Sequence, residues 1–333
     1  MNNILITGSC GYIGSHFTKL MLESKKYNLF AIDDLSTGVR SSISEKIPLL
    51  QTPLENTLEV ENFIRKNKID SIFHFAGKIV VSESVENPYK YYSSNTVNTL
   101  NLAKIASDCK VQHFIFSSTA AVYGEPKQNE KVSETSDKNP ISPYGKSKLF
   151  SENIIADICK SSEMKFAILR YFNVAGASED LSIGQQTPNP THLIKMCCNV
   201  VLGKAKKLSV FGNDYPTKDG TGIRDYIHVC DLASAQKAVY EYLLNGGDSD
   251  YFNIGYGVGY SVMDVVKAFE RVTGKQIDCD IKPRRLGDAA CVVSANEKIL
   301  NKTNWTPTLN DIHTIVKHAY LWDKSISNSN KDV

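Results

Sequence analysis

Ile4-Leu-Ile-Thr7-Gly8-Ser-Cys-Gly11-Tyr-Ile-Gly14 is the stretch that decides the fold. A short apolar, β-branched run passes directly into glycines spaced G-x-x-G-x-x-G and then into a helical pattern over residues 12–24. Glycines so placed let the backbone turn tightly, approach a pyrophosphate and pack helix against strand, while the helix N-terminus presents its positive dipole end. The next apolar run, Leu29–Ile32, ends in Asp33. A carboxylate there accepts from the adenosine ribose hydroxyls and repels a 2′-phosphate. No arginine follows before Arg40, so the pattern predicts NAD rather than NADP. The expected cofactor contacts here are Gly8, Gly11, Tyr12, Ile13 and Gly14, followed by Asp33, Asp34, Leu35 and Ser36.

The same rhythm continues through the first half of the chain. Ser71–Phe75, His113–Phe116 and Phe166–Leu169 read as strands, alternating with helical patterns near 57–67, 88–107 and 144–161. The strands are apolar throughout rather than alternating, as in a parallel sheet covered on both faces. The fold class is therefore α/β, a doubly wound parallel sheet of the Rossmann type. Phe75-Ala76-Gly77 falls at the carboxyl edge of that sheet, where small residues line a cofactor crevice. After residue 175 the rhythm changes to a loop over 184–190, a helix near 191–203 and the turn-rich run Phe211–Pro216. The expected organisation is an NAD domain over 1–175, rejoined by 225–256. A smaller α/β substrate lobe would comprise 176–224 and 257–325, with a polar tail over 326–333.

Bulk properties exclude several classes. Lys plus Arg total 38 against 36 Asp plus Glu, without single-sign blocks, which argues against a nucleic-acid or membrane-surface partner. No apolar stretch approaches the roughly 18 residues that span a bilayer. The chain enters a strand almost at once, which leaves no room for a signal peptide. The eight cysteines include no CxxC pair and read as thiols of a reducing cytoplasm. No cluster has metal-ligand spacing, and His74, His113 and His228 read as core histidines rather than catalysts.

The chemistry centres on Tyr144-Gly-Lys-Ser-Lys148. It follows Pro140-Ile-Ser-Pro143, a suitable helix entry, so Tyr144 and Lys148 share one helix face. A phenol with a pKa near ~10 becomes a base at neutral pH only after a fall of roughly 3 units, about 4 kcal/mol. One ammonium at ~5 Å and an effective dielectric of ~20 supplies roughly 3 kcal/mol. A second positive charge completes the shift, and an oxidised nicotinamide carries one.

Further stretches carry a resemblance. They are Phe73–Gly77, Asn95, Phe116-Ser-Ser-Thr119-Ala-Ala-Val-Tyr-Gly124, Leu169-Arg-Tyr-Phe-Asn173, Phe211–Tyr215, Asp219–His228 and Pro283-Arg-Arg-Leu-Gly-Asp288. With the two motifs above, they resemble the extended short-chain dehydrogenase/reductase family, and within it the UDP-glucose (UDP-galactose) 4-epimerases, over essentially the whole chain. The resemblance implies interconversion of UDP-glucose and UDP-galactose. Hydride passes reversibly from C4 to tightly bound NAD, and the 4-keto sugar rotates between the two transfers.

It further implies that Tyr144 is the base for the 4-hydroxyl, that Lys148 lowers its pKa and holds the nicotinamide ribose, and that Thr119 bonds O4. Leu54, Asn95, Ser117 and Phe172 join the cofactor contacts. Asn173, His192, Leu193, Phe211, Arg224, Tyr226, Arg285 and Asp288 take the UDP-sugar. The two arginines suit a diphosphate. The family pairs helices 88–107 and 144–161 in a homodimer, and Leu100, Leu102, Ile105, Ile154, Ile155 and Ile158 supply apolar positions for it. Burial within one chain is the alternative for these.

The sequence also departs from the family pattern. Pro53 replaces an Asp that bonds adenine, leaving the backbone of Leu54; Ile79 stands where relatives often carry a lysine, next to Lys78; and Lys195 replaces a common proline. Val292 stands where a tyrosine excludes N-acetyl groups, so the resemblance extends to UDP-GlcNAc and UDP-GalNAc. The rivals are a 4,6-dehydratase, a decarboxylase or a non-catalytic NAD-binding protein. Dehydration needs an added acid and base after the threonine, and Ala120-Ala121 cannot transfer protons.

Overall fold

The computed structural model describes residues 1–126, 130–188, 190–285 and 288–329. The chain runs β1 (Asn3–Thr7), α1 (Tyr12–Ser24), β2 (Asn28–Ile32), β3 (Leu49–Leu50), α2 (Thr57–Lys66), β4 (Ser71–His74), α3 (Val81–Glu86), α4 (Pro88–Tyr91), α5 (Asn98–Asp108) and β5 (His113–Thr119). It continues through α6 (Pro143–Lys160), β6 (Lys165–Tyr171), β7 (Asn173–Ala175), α7 (Leu193–Val201), β8 (Leu208–Phe211), β9 (Ile223–His228), α8 (Val229–Leu244) and β10 (Asp250–Ile254). The last elements are β11 (Gly259–Ser261), α9 (Val262–Thr273), β12 (Cys279–Lys282), β13 (Cys291–Val292), α10 (Glu297–Lys302) and α11 (Ile312–Ser329).

The large sheet has the order β10-β6-β5-β4-β1-β2-β3, and every pairing in it is parallel. Strand order reverses between β1 and β4, which opens a crevice at their carboxyl ends. Successive strand residues explain the double cover. Ile4, Ile6, Ile115 and Leu169 pack in one core with Phe17, Met21 and Val239 of α1 and α8. Their neighbours Leu5, Phe114, Phe116 and Ile168 pack in a second core with Val60, Leu102 and Ile155 of α2, α5 and α6. Both faces of each strand are therefore apolar, as the sequence pattern requires.

The smaller part of the molecule holds two further sheets. β9 pairs antiparallel with β11 and parallel with β13 and β7, while β8 pairs with β12. A third core of α7, α9 and α11 residues, including Cys197, Phe269 and Ile315, covers them. α9 begins with a reciprocal Ser261–Asp264 capping box and ends on Gly274 in the left-handed conformation, the usual signals for a short amphipathic helix.

Two sequence expectations change. The continuous helix read over 88–107 is interrupted by a π-helical segment, Tyr92–Val97, which widens the turn and directs Asn95 inward. The polar tail expected over 326–333 begins within α11, which is helical to Ser329; residues 330–333 lie outside the described part. Asn189 in the expected loop, and Leu286 and Gly287 in the Pro283–Asp288 stretch, also lie outside it.

The turn between β1 and α1 is tightly closed. Gly8 has φ +68°, and a Cβ at Gly14 would stand 2.2 Å from the Gly8 carbonyl oxygen. Gly14→Ala should therefore lower stability by about 1–3 kcal/mol through overpacking, read as a lower midpoint in urea unfolding. An unchanged midpoint would mean that this turn adjusts freely.

Candidate active site

The crevice is built from loops at the carboxyl ends of β1, β2 and β4. α1 follows Gly11 at its N-cap, with no side-chain cap and no acid in its first turn, so its leading amides face the crevice without an internal anion. Tyr12 is committed elsewhere: its hydroxyl donates to the Gly176 carbonyl at 2.7 Å, leaving only its backbone for a cofactor. Ile13 packs on the core beside it. Asp33 is buried and accepts from the amides of Cys10 and Leu35, both at 2.8 Å. Burial pushes its carboxyl up, while these amides and nearby Lys78 hold it down. Leu35 takes φ +57°, and Asp34 accepts from the Ser36 amide at 2.8 Å, which shapes the loop. Arg40 is tied to the Ile43 carbonyl at 3.1 Å.

From the opposite lip, Lys78 Nζ reaches Ser36 Oγ at 3.2 Å. The Phe75-Ala76-Gly77 turn packs against Gly8 so closely that a Cβ on Gly8 would lie 2.6 Å from the Ala76 nitrogen. Asn95 fixes the next turn, accepting from the Lys78 amide at 2.8 Å and donating to the Lys78 carbonyl and Ser147 Oγ at 3.0 Å. Leu54 is buried in the core, so only its backbone is available to an adenine. Glycines that leave no room for side chains, uncapped helix amides and a buried acid at the end of β2 fit a dinucleotide with free ribose hydroxyls.

Pro143 starts α6 and Ser142 caps it, accepting from the Gly145 amide at 3.2 Å. The helix therefore brings Tyr144 and Lys148 against the end of β5. Lys148 Nζ donates to the Ser117 carbonyl at 2.9 Å and lies 4.7 Å from the centroid of the Phe116 ring. Burial pulls this ammonium down to about 8, and Glu152 opposes the fall. Burial pushes the Tyr144 phenol up, and the nearby Thr119 hydroxyl acts against that. Among the protein's own groups, desolvation thus outweighs the lowering by Lys148 that charge alone suggests. His74 is a core residue between Thr7 Oγ1 at 2.7 Å and Thr99 Oγ1 at 3.0 Å, with its imidazole held down to about 3 by burial. His113 and His228 are also buried.

A second group of side chains comes from β8, β9 and the segment after β12. The Arg285 guanidinium stacks 3.7 Å from the Phe211 ring centroid. Arg224 pairs with Asp288 at 3.4 Å. Tyr226 is buried in register with Asn173, where burial pushes its phenol up. Val292 stands opposite Arg224 in the sheet and packs with Ala120 against Phe172 and Tyr123. Val292 thus ties this group to the strand end that carries Thr119. His192 occupies the N-cap position of α7 without a side-chain bond to the helix, beside half-buried Leu193. Sequence reasoning passed over Arg284, which stacks 4.1 Å from the Tyr215 ring centroid and bonds Asp214 at 2.7 Å. The aromatic and basic residues of the quoted stretches were the available signal.

These features define a dinucleotide-dependent enzyme of the extended short-chain type, and residues 4–255 match the model of the NAD dependent epimerase/dehydratase family. The chain belongs to that family. It is 41% identical over 326 residues to the UDP-glucose 4-epimerase of Azospirillum brasilense, covering 98% of this chain and 93% of that protein. The structure of the UDP-Glc/GlcNAc 4-epimerase from Campylobacter jejuni superposes with a TM-score of 0.85 at 44% identity, covering 98% of this chain and all of that one. The UDP-glucose 4-epimerase of Stenotrophomonas maltophila, solved with NAD and formylated UDP-arabinopyranose, gives 0.93 at 33% identity, covering 99% of this chain and all of that one.

A lysine whose folded pKa is about 8, against 10.5 unfolded, binds fewer protons than the unfolded chain between those values. Its cost is thus fully present below pH 8 and fades toward pH 10.5. Lys148→Met should stabilise the fold at pH 7 by up to about 3 kcal/mol, with a smaller gain at pH 10. Urea unfolding of both proteins at the two pH values measures this. A less stable variant at pH 7 would contradict it.

Proposed function

We propose that this chain interconverts UDP-glucose and UDP-galactose by inverting C4, with NAD as a tightly bound cofactor. The observation that carries the reading is the bond from Lys148 to the Ser117 carbonyl, with Tyr144 one turn earlier on α6 near the strand end that carries Thr119, on one edge of a dinucleotide crevice. NAD bound there supplies a two-electron acceptor and donor for C4 and a positive charge beside the phenol. Tyr144 takes the proton from O4 when the carbinol is oxidised and returns it when the ketone is reduced. Thr119 orients O4, and the buried Lys148 ammonium holds the ribose and favours phenolate. Ala120 and Ala121 offer no second acid or base, which supports a reaction without loss of water.

Inversion requires the keto sugar to present its other face, so the nucleotide must be held firmly and the hexose loosely. Arg224, Arg285, Asp288, Phe211, Tyr226, Asn173, His192 and Leu193 are the nucleotide grip in this reading. Support comes from the ion pair and ring stack that gather four of them. Val292 leaves space that a tyrosine would fill, and the similar Campylobacter jejuni enzyme is described as acting on UDP-Glc and GlcNAc. We extend the proposed substrates to the N-acetylated pair on that basis. Wild-type protein and Tyr144→Phe, each given UDP-galactose and separately UDP-GalNAc, test both points by NMR of the products. Wild type should convert both substrates, and the variant should lose at least about 100-fold in rate. A variant near full rate would end the catalytic reading; turnover of UDP-galactose alone would end the Val292 argument.

A homodimer belongs to the same proposal. Val97 (48% exposed), Leu100 (43%) and Phe150 (48%) form an apolar face on the π-helical segment, α5 and α6. Leu102, Ile105 and Ile155 are buried within the chain and do not contribute to it. The pairing of α5 and α6 supports a four-helix contact between two copies. Leu100→Asp with Phe150→Asp should shift sedimentation from dimer to monomer; a wild-type monomer at micromolar concentration would remove the idea. Free cysteines throughout support a cytoplasmic location, and among the described residues no helix is long and apolar enough to cross a membrane.

A further inference from the structure

The buried ion pair between Glu152 and Arg170 lies one helical turn beyond Lys148, and the chemistry above does not use it. Each side chain is 1% exposed. Arg170, on β6, donates to Glu152 Oε1 at 3.0 Å and to Oε2 at 2.7 Å, a two-pronged contact. The guanidinium also donates to the Tyr123 hydroxyl at 3.0 Å and the Glu134 carbonyl at 3.3 Å. The rings of Tyr123 and Tyr251 lie 5.2 and 4.9 Å from it. The guanidinium is thus paired with both oxygens of Glu152. Its Oε1 also accepts from Ser118 Oγ at 2.5 Å.

Ser118 is the residue between Ser117, whose carbonyl takes the Lys148 proton donor, and Thr119, whose hydroxyl lowers the Tyr144 phenol against the effect of burial. Tyr144, Lys148 and Glu152 follow one another at four-residue steps on one face of α6. The helix is therefore pinned to the strand end at two consecutive strand residues, Ser117 and Ser118. A buried pair of this kind costs desolvation and by itself adds little net stability. Its place behind the proton-transfer pair suggests a different use.

We propose that Glu152 is a positioning residue for the Tyr144–Lys148 pair, fixing the end of β5 through Ser118 and supplying the negative charge nearest the Lys148 ammonium. The proposal rests on reading those two residues as the proton-transfer pair. Burial pulls Lys148 down and Glu152 is the group that resists. The other titratable neighbours cannot replace it: Tyr144 is on the same helix, His74 on β4 is held neutral, and Arg170 on β6 adds positive charge behind Glu152. Gly77 and Asn95, which close over the ammonium from the loop after β4 and the π-helical segment, carry no charge.

Glu152→Gln keeps the shape and the Ser118 acceptor but leaves Arg170 unneutralised. In protein with ¹⁵N-labelled lysine, the Lys148 ammonium signal (assigned by its loss in Lys148→Met) should titrate at least about one pH unit lower than in wild type. The alkaline limb of kcat for UDP-galactose should move by the same amount, with KM unchanged. Glu152→Gln with Arg170→Met, which removes both charges, should bring the limb back toward wild type. A purely structural role would lower kcat at every pH and leave the titration in place, which overturns the charge argument. Ser118→Ala leaves the ion pair intact and decides the positioning even if the Glu152 variants do not fold. About tenfold lower kcat at unchanged KM supports it, and full kcat overturns it. If wild type does not act on UDP-galactose, the functional reading fails, while the lysine titration still decides the role of Glu152.

Discussion

The contact between α6 and the carboxyl end of β5 is the constraint on which the candidate active site depends. Lys148 is a nearly fully buried cation, and burying an ammonium is costly without strong partners. The Ser117 carbonyl at 2.9 Å and the Phe116 ring face provide them only while helix and strand keep one register. Lower on the same helix, Ile155, Ala156 and Cys159 pack with Phe114 and Phe116 in the second core. That apolar packing holds the polar contacts above it, and the same geometry sets Tyr144 beside Thr119.

The rest of the molecule divides into a rigid edge and an adjustable one. On the crevice side, glycine turns, Asn95 and Asp33 are fixed by backbone hydrogen bonds and by contacts that admit no added side chain. On the side of β8 and β9, the charged groups are more exposed: Arg285 lies on Phe211 and Arg224 reaches Asp288 at 3.4 Å. In the proposed reaction these exposed groups close around a diphosphate, whereas the Tyr144–Lys148 pair stays held between α6 and β5. The proposed reaction uses both properties.

Much of this was legible in the sequence because it follows from local patterns. Apolar runs located β1, β2, β4, β5 and β6, and the glycine spacing located the crevice. Tyr144 and Lys148 declared a shared helix face through their spacing and the prolines before them. What was not legible depends on partners distant in sequence. The π-helical segment at Tyr92–Val97 has no composition that marks it, and its widened turn is stabilised by contacts from Asn95 to residues 78 and 147. The direction of the Tyr144 shift could not be read either. Charge spacing shows the ammonium, but desolvation depends on the full packing around the phenol. Glu152 on α6 and Arg170 on β6 are 18 residues apart across the loop between them, so neither residue announces the other. Among the apolar dimer candidates, helical periodicity could not separate exposed Leu100 from buried Leu102, because α5 packs against α2 and α6 on two sides.

The central claim is that this site performs a closed oxidation and reduction at C4, in which only the O4 proton is handled by side chains. Conversion of UDP-galactose carrying deuterium at C4, followed by NMR of the product in ordinary water, tests it most directly. The account predicts UDP-glucose that keeps deuterium at C4. Product with protium at C4, acquired from solvent, would contradict it.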